Sequence, residues 1–271
     1  MKEITDSLLA NALGHQVLFA SSTTKIWVPV IVAAVLIAIF VGLGFYSKKH
    51  PESLSVRFMS RVAIFTAMAT ILYVVPIFQF KLPFFPSFLE IHLDEIPSMI
   101  AGFAYGPLVA MATVFLKTLI KLPFTSTMLV GELTDFLLGL AYVGLSSFIF
   151  SKKKDFWGAV IGISVGTVTQ VALAMILNVY VMIPFYTTLM GLSEEMLLGL
   201  MQAAIPAISD VEWSYALFAV LPFNLLKDAI VIVVTLACYR MLAMVLKKMQ
   251  RTAEAERLAA KAQKEEPPKK E

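Results

Sequence analysis

Residues 26–46, 62–80 and 156–183 contain no charged side chain, and a run of about 20 such apolar residues is what a helix needs to cross a bilayer. In hydrocarbon a chain must satisfy its backbone polar groups internally, so runs of this kind predict membrane-spanning helices. A fourth apolar run, 96–116, is interrupted by Gly106-Pro107. Proline lacks the N–H that a continuing helix requires and disfavours a helical residue before it, so this run predicts two shorter helices, 94–104 and 107–121. A further helix is expected over 129–150, opening after Thr125-Ser126-Thr127 and closing at Lys152-Lys153-Lys154. The last covers 213–246. The sum is seven membrane helices in an all-α integral membrane protein. The composition agrees: 59% of the residues are hydrophobic and 15% charged, far from the balance of a soluble or disordered chain.

Charge placement orients these helices. Lys48, Lys49, Arg57 and Arg61 lie in 47–61, the three lysines in 151–155, and Arg240, Lys247 and Lys248 follow the last helix. The alternate connections hold only Lys2, Lys25 and Lys81, and the long 184–212 connection carries acids alone, Glu194, Glu195, Asp210 and Glu212. Basic connections stay in the cytoplasm, which predicts a multi-pass protein of a bacterial cell membrane with its N-terminus outside and its C-terminus inside. Residues 1–25 form an outer segment, where 5–19 fit either a surface helix or a leader. The tail 247–271 is rich in Lys, Glu and Ala and reads as a solvated cytoplasmic helix that frays.

The chain carries no G-x-x-x-x-G-K-[ST] loop, no G-x-S-x-G elbow and no H-E-x-x-H pair, so it neither powers transport with ATP in the P-loop way nor offers a hydrolase signature. His15, His50 and His92 are far apart and Cys238 is the single cysteine, so neither a metal site nor an internal disulfide is expected. Nothing in the pattern points to a nucleic-acid partner.

The intramembrane polar residues are therefore the informative ones: Lys117, Lys121, Glu132, Asp135, Asn178, and the set Asn224, Lys227 and Asp228. Charges at membrane depth are expensive and usually face a protein interior. The spacing i, i+3, i+4 places Asn224, Lys227 and Asp228 on one helical face. Either Lys117 or Lys227 pairs with Glu132, Asp135 or Asp228 and the set is structural, or the groups converge on a pocket for a small molecule rich in hydrogen bonds. The connection 76–97, with Phe78, Phe80, Phe84, Phe85 and Phe88 punctuated by Pro83 and Pro86, fits either an interfacial aromatic belt or a lid over a flat ligand. Ala63 and Ala67 form a small-x-x-x-small pair that lets another helix approach closely.

The motifs DEIPSMIAGFAYGP (94–107), VGELTDF (130–136), LNVYVMIPFY (177–186) and LPFNLLKD (221–228), in this order and spacing, resemble the riboflavin-type S components of energy-coupling factor (ECF) vitamin transporters. The resemblance implies a six-helix substrate-binding bundle over 58–246, with helix 26–46 as an additional N-terminal span. It implies that Glu132, Asn178, Asn224 and Lys227, with Phe84, Phe85 and Leu89 of the lid, contact riboflavin or a close flavin, carried as transported ligand and not as cofactor. It implies that Ala63 and Ala67 meet the transmembrane coupling subunit, which works with two ATPase subunits. Asp135 stands where the family pattern is neutral. The alternatives are an S component for another vitamin, a flavin carrier serving extracellular redox proteins and, more remotely, an intramembrane enzyme.

Overall fold

The computed structural model describes residues 55–125, 129–188 and 190–238, together with Thr252. Helix 26–46, the segment 1–25 and the tail 247–271 lie outside the described residues. Within them the chain is helical apart from one hairpin, and five helices are long and apolar enough to cross a membrane.

Helix α1 (Val56–Val74) starts six residues before the uncharged run, because the Ser55 side chain caps it by accepting from the Phe58 N–H. It ends at Val74, since Pro76 holds Val75 in an extended conformation. The expected helix 62–80 is thus shifted towards the N-terminus. A short antiparallel pair follows, β1 (Phe80–Lys81) with β2 (Glu90–Ile91). It is the one departure from an all-α chain among the described residues, and the Lys81–Glu90 ion pair at 2.9 Å crosses it. Helix α2 (Glu95–Tyr105) and helix α3 (Pro107–Lys121) then meet at Gly106, whose φ of 99° lies where residues with a Cβ are strained. Eleven residues rise only about 16 Å, so α2 is a buried half-span.

Helix α4 (Val130–Lys152) and helix α5 (Phe156–Thr188) form the centre of the bundle. Their approach is close because Gly158, Gly162 and Gly166 repeat every four residues along α5. A Cβ on Gly162 would stand 2.7 Å from the Ser146 carbonyl oxygen, and one on Gly166 would stand 2.9 Å from that of Tyr142. The small-residue contact expected from the sequence, Ala63 and Ala67, is not the one that brings these two helices together. Those alanines lie on the exposed side of α1, opposite its buried Val62, Thr66, Ala69 and Tyr73.

The connection expected to be a simple outer loop contains a helix, α6 (Glu194–Ala204), capped by Ser193. Its Leu197 and Met201 pack with Leu177, Ile208 and Tyr215. Helix α7 (Trp213–Cys238) closes the described bundle. Three π-turns interrupt the long helices, at Leu140–Gly144, Asn178–Met182 and Ala216–Val220. Each inserts a residue into the helical register, and such turns often sit beside functional positions.

Candidate ligand-binding site

Between α4, α5, α7 and the hairpin lies a cavity of about 390 Å³, within the range of small-molecule sites. Of the expected site residues, Glu132, Asn178, Asn224, Lys227 and Leu89 line it. They come from three helices and the lid. Phe84 and Phe85 are not in its wall: Phe84 is exposed, and Phe85 is buried edge-on against Phe223, which itself faces the cavity. The aromatic ring that reaches inside is Phe88, 5.8 Å from the Tyr186 ring and 6.0 Å from that of Tyr215. The rings of the connection thus divide, with Phe80 and Phe84 exposed and Phe88 on the cavity wall.

Each polar residue is held in a definite way. Asn178 sits at the start of the α5 π-turn, where its Nδ2 donates to the Ala174 carbonyl at 2.9 Å and its Oδ1 accepts from the Tyr215 hydroxyl at 3.2 Å. Asn224 follows the α7 π-turn and donates from Nδ2 to the Val220 carbonyl at 2.8 Å. That bond uses one of the two amide N–H donors and leaves Oδ1 with no hydrogen bond among the described residues. Glu132, buried in the first turn of α4, accepts from the Thr125 hydroxyl at 2.7 Å. Asp135, one turn further on, accepts from the Tyr73 hydroxyl at 2.8 Å. Tyr73 also lines the cavity, its ring at 5.2 Å from the Lys121 ammonium.

The lysines do not pair as the structural alternative required. Lys227 Nζ donates to Glu95 Oε1 at 2.9 Å, and Lys117 is paired with Asp94. All four side chains are buried. The acids expected to neutralise them, Glu132 and Asp135, thus stay on the cavity wall. Asp94 and Glu95 fall where the sequence places the end of a loop, so hydropathy alone does not mark them as intramembrane charges. Two lysines at membrane depth require two anions, and Asp94-Glu95 at the head of an apolar helix is the pair that supplies them.

Asp228 also departs from expectation. Positions 227 and 228 differ by about 100° around a helix, and here the axis of α7 divides them. Lys227 faces the cavity, whereas Asp228 is fully buried towards α5, beside the Gln170 amide; assigned with its nitrogen towards the carboxylate, that amide donates to both oxygens, at 3.0 and 3.1 Å. The face is shared by Asn224 and Lys227 only.

The wall carries three carboxylates, Glu90, Glu132 and Asp135, and three lysines, Lys81, Lys121 and Lys227. His92 presents its ring edge-on to Tyr73 at 5.1 Å, not to a nucleophile. No group of three or more metal-ligating side chains occurs among the described residues. The arrangement suits binding of a polar molecule: amide and carboxylate acceptors, an ammonium donor, and rings from the lid side.

Comparison with known proteins decides the family. The family model for the substrate-specific component of ECF transporters matches residues 57–239. This chain belongs to that family. The S component's curated relatives include the riboflavin transporter RibU of Staphylococcus aureus (strain TCH60), 24% identical over 198 residues, which cover 73% of this chain and 98% of the relative. The riboflavin transporter FmnP of Bacillus subtilis (strain 168) is 26% identical over 180 residues, 65% of this chain and 88% of that one. A third, RibU of Lactococcus lactis subsp. cremoris (strain NZ9000), is 27% identical over 179 residues, 63% and 85% of the two chains. A solved structure described as the S component of a bacterial ECF transporter shares the fold, with a TM-score of 0.54 at 23% identity over 70% of this chain and 98% of that chain. The S component is a transporter subunit and not an enzyme, which removes the intramembrane-enzyme alternative.

Proposed function

We propose that this S component binds riboflavin in the cavity, at the outer face of the cell membrane. It passes the vitamin inward in complex with a transmembrane coupling subunit and two ATPase subunits. The observation that carries the reading is the pairing of the Asn224 Oδ1 acceptor with the Lys227 ammonium donor one turn away on the same wall. The imide edge of an isoalloxazine ring alternates carbonyl, N–H and carbonyl, so an acceptor flanked by a donor is its complement. Glu132 and Asp135 supply acceptors for the ribityl hydroxyls, and Phe88 and Tyr186 supply apolar ring surface. The names of the curated relatives support the same ligand.

Lys121 favours a second reading, a phosphorylated flavin, because its ammonium adds a cation to the same cavity wall, beside the Tyr73 ring. Competition between the two flavins for one site separates the readings.

In the membrane, we propose that the N-terminus lies outside and the C-terminus in the cytoplasm, a reading the lysine and arginine asymmetry supports. Ala63 and Ala67, on the exposed side of α1 beside Ile64 and Met68, form the seam for the coupling subunit. Residues 26–46 precede the residues matched by the family model, so they are an addition to the substrate-binding unit and not part of it. The test is uptake of labelled riboflavin by cells lacking their own transporter. Accumulation is expected only when the S component is expressed together with the coupling and ATPase subunits. Uptake by the S component alone at the same rate would overturn the proposed division of labour.

A further inference from the structure

The Lys227 ammonium has three N–H donors, and one of them goes to Glu95 Oε1 at 2.9 Å. The other two have no partner among the described residues, and the side chain lines the cavity. Glu95 does not line it. It stands behind Lys227 at the head of α2, 3% exposed, and its second oxygen, Oε2, is buried without a hydrogen bond. The neighbouring Asp94 is fixed on Lys117 of α3, so the start of α2 is pinned between two helices. A flexible four-carbon side chain is thus anchored by a carboxylate that itself has little freedom.

We infer that Glu95 is the positioning residue for ligand recognition by Lys227: it sets the ammonium on the cavity wall with two donors left for the ligand, without touching the ligand itself. The inference rests on the proposed flavin site. Anchoring reduces the rotamer freedom that a long side chain otherwise loses on binding.

The experiment titrates purified wild type, Glu95→Gln, Glu95→Asp, Lys227→Met and the double variant E95Q/K227M with riboflavin, reading fluorescence quenching and the absorption band of the bound flavin. Glu95→Gln is expected to weaken binding about tenfold, with Glu95→Asp between it and wild type. The flavin band of Glu95→Gln is expected to move towards that of Lys227→Met, since a cation at the ring edge polarises the chromophore. The double variant is expected to bind as Lys227→Met does, because Glu95 acts only through Lys227. It carries neither buried charge, so it remains informative where Glu95→Gln alone does not fold. Wild-type affinity in Glu95→Gln, an unmoved band, or a double variant weaker than Lys227→Met would each overturn the inference. Failure of the wild type to bind riboflavin would overturn the proposed function instead, so the two failures are distinct.

Discussion

Near one end of the bundle, Phe103 stacks on Phe150 at 4.4 Å and Gly162 lies against the Ser146 backbone. About 24 Å further along α5, by helical rise, Asn178 faces open space shared with Glu132, Asp135, Asn224 and Lys227. The first region is held by small residues and close packing around Met99, Val114, Ile163 and Val231. The second is held by buried ion pairs behind its wall and by amides bonded back to their own helices. Close packing resists any change of volume, whereas a cavity wall tolerates the exchange of a side chain but changes what it binds. Substitutions in the two regions therefore have separable consequences: stability in the glycine seam, affinity in the cavity.

The largest expected effect is in the cavity. Lys227→Met removes a charge-assisted hydrogen bond and lowers riboflavin affinity by about 1.5–3 kcal/mol, roughly ten- to a hundredfold, as measured by fluorescence quenching of the purified protein. Next is Gly162→Val in the seam, which forces α4 and α5 apart and costs about 1–3 kcal/mol of stability. It is read as a lowered Tm in detergent, while the folded fraction binds with unchanged affinity. If Gly162→Val lost affinity but kept its Tm, the two regions would not be independent. Phe88→Ala comes third: removing the ring from the cavity wall weakens binding by about 0.5–1.5 kcal/mol, seen in the same titration.

Two further changes are expected to leave binding alone. Enlarging both Ala63 and Ala67 to leucine should abolish uptake in cells that contain the ATPase module, because bulk at a small-residue seam blocks a partner helix. Riboflavin binding beside uptake is the readout, and joint loss of both would make the seam internal. The smallest effect, none, is expected for a truncated protein starting near Ser47. Residues 26–46 carry no ionisable side chain to offer a ligand, so a folded but non-binding truncation would place that helix in the pocket.

Much of the fold is legible in the sequence because its determinants are local. Gly106-Pro107 divides one apolar run into α2 and α3, and the triple lysine closes α4 within a residue or two of its expected end. Glu132, Asn178, Asn224 and Lys227 are readable as candidate site residues because polar groups at membrane depth stand out against an apolar background. What stays hidden depends on distance or register. The Lys227–Glu95 pair joins residues 132 positions apart, and no spacing rule connects them. The π-turns at Asn178 and before Asn224 leave no mark in hydropathy, yet each alters the helical register at or just before an amide of the cavity wall. Helix α6 escapes a hydropathy reading because its apolar side, Leu197 and Met201, is too short to register as a span.

The most direct measurement is a titration of the purified S component with riboflavin, repeated with Glu132→Gln and with Lys227→Met. Saturable quenching with one flavin per chain, weakened in both variants without loss of folded protein, is the result the cavity predicts. Absence of saturable binding, or wild-type affinity in both variants, would show that the flavin site is not here.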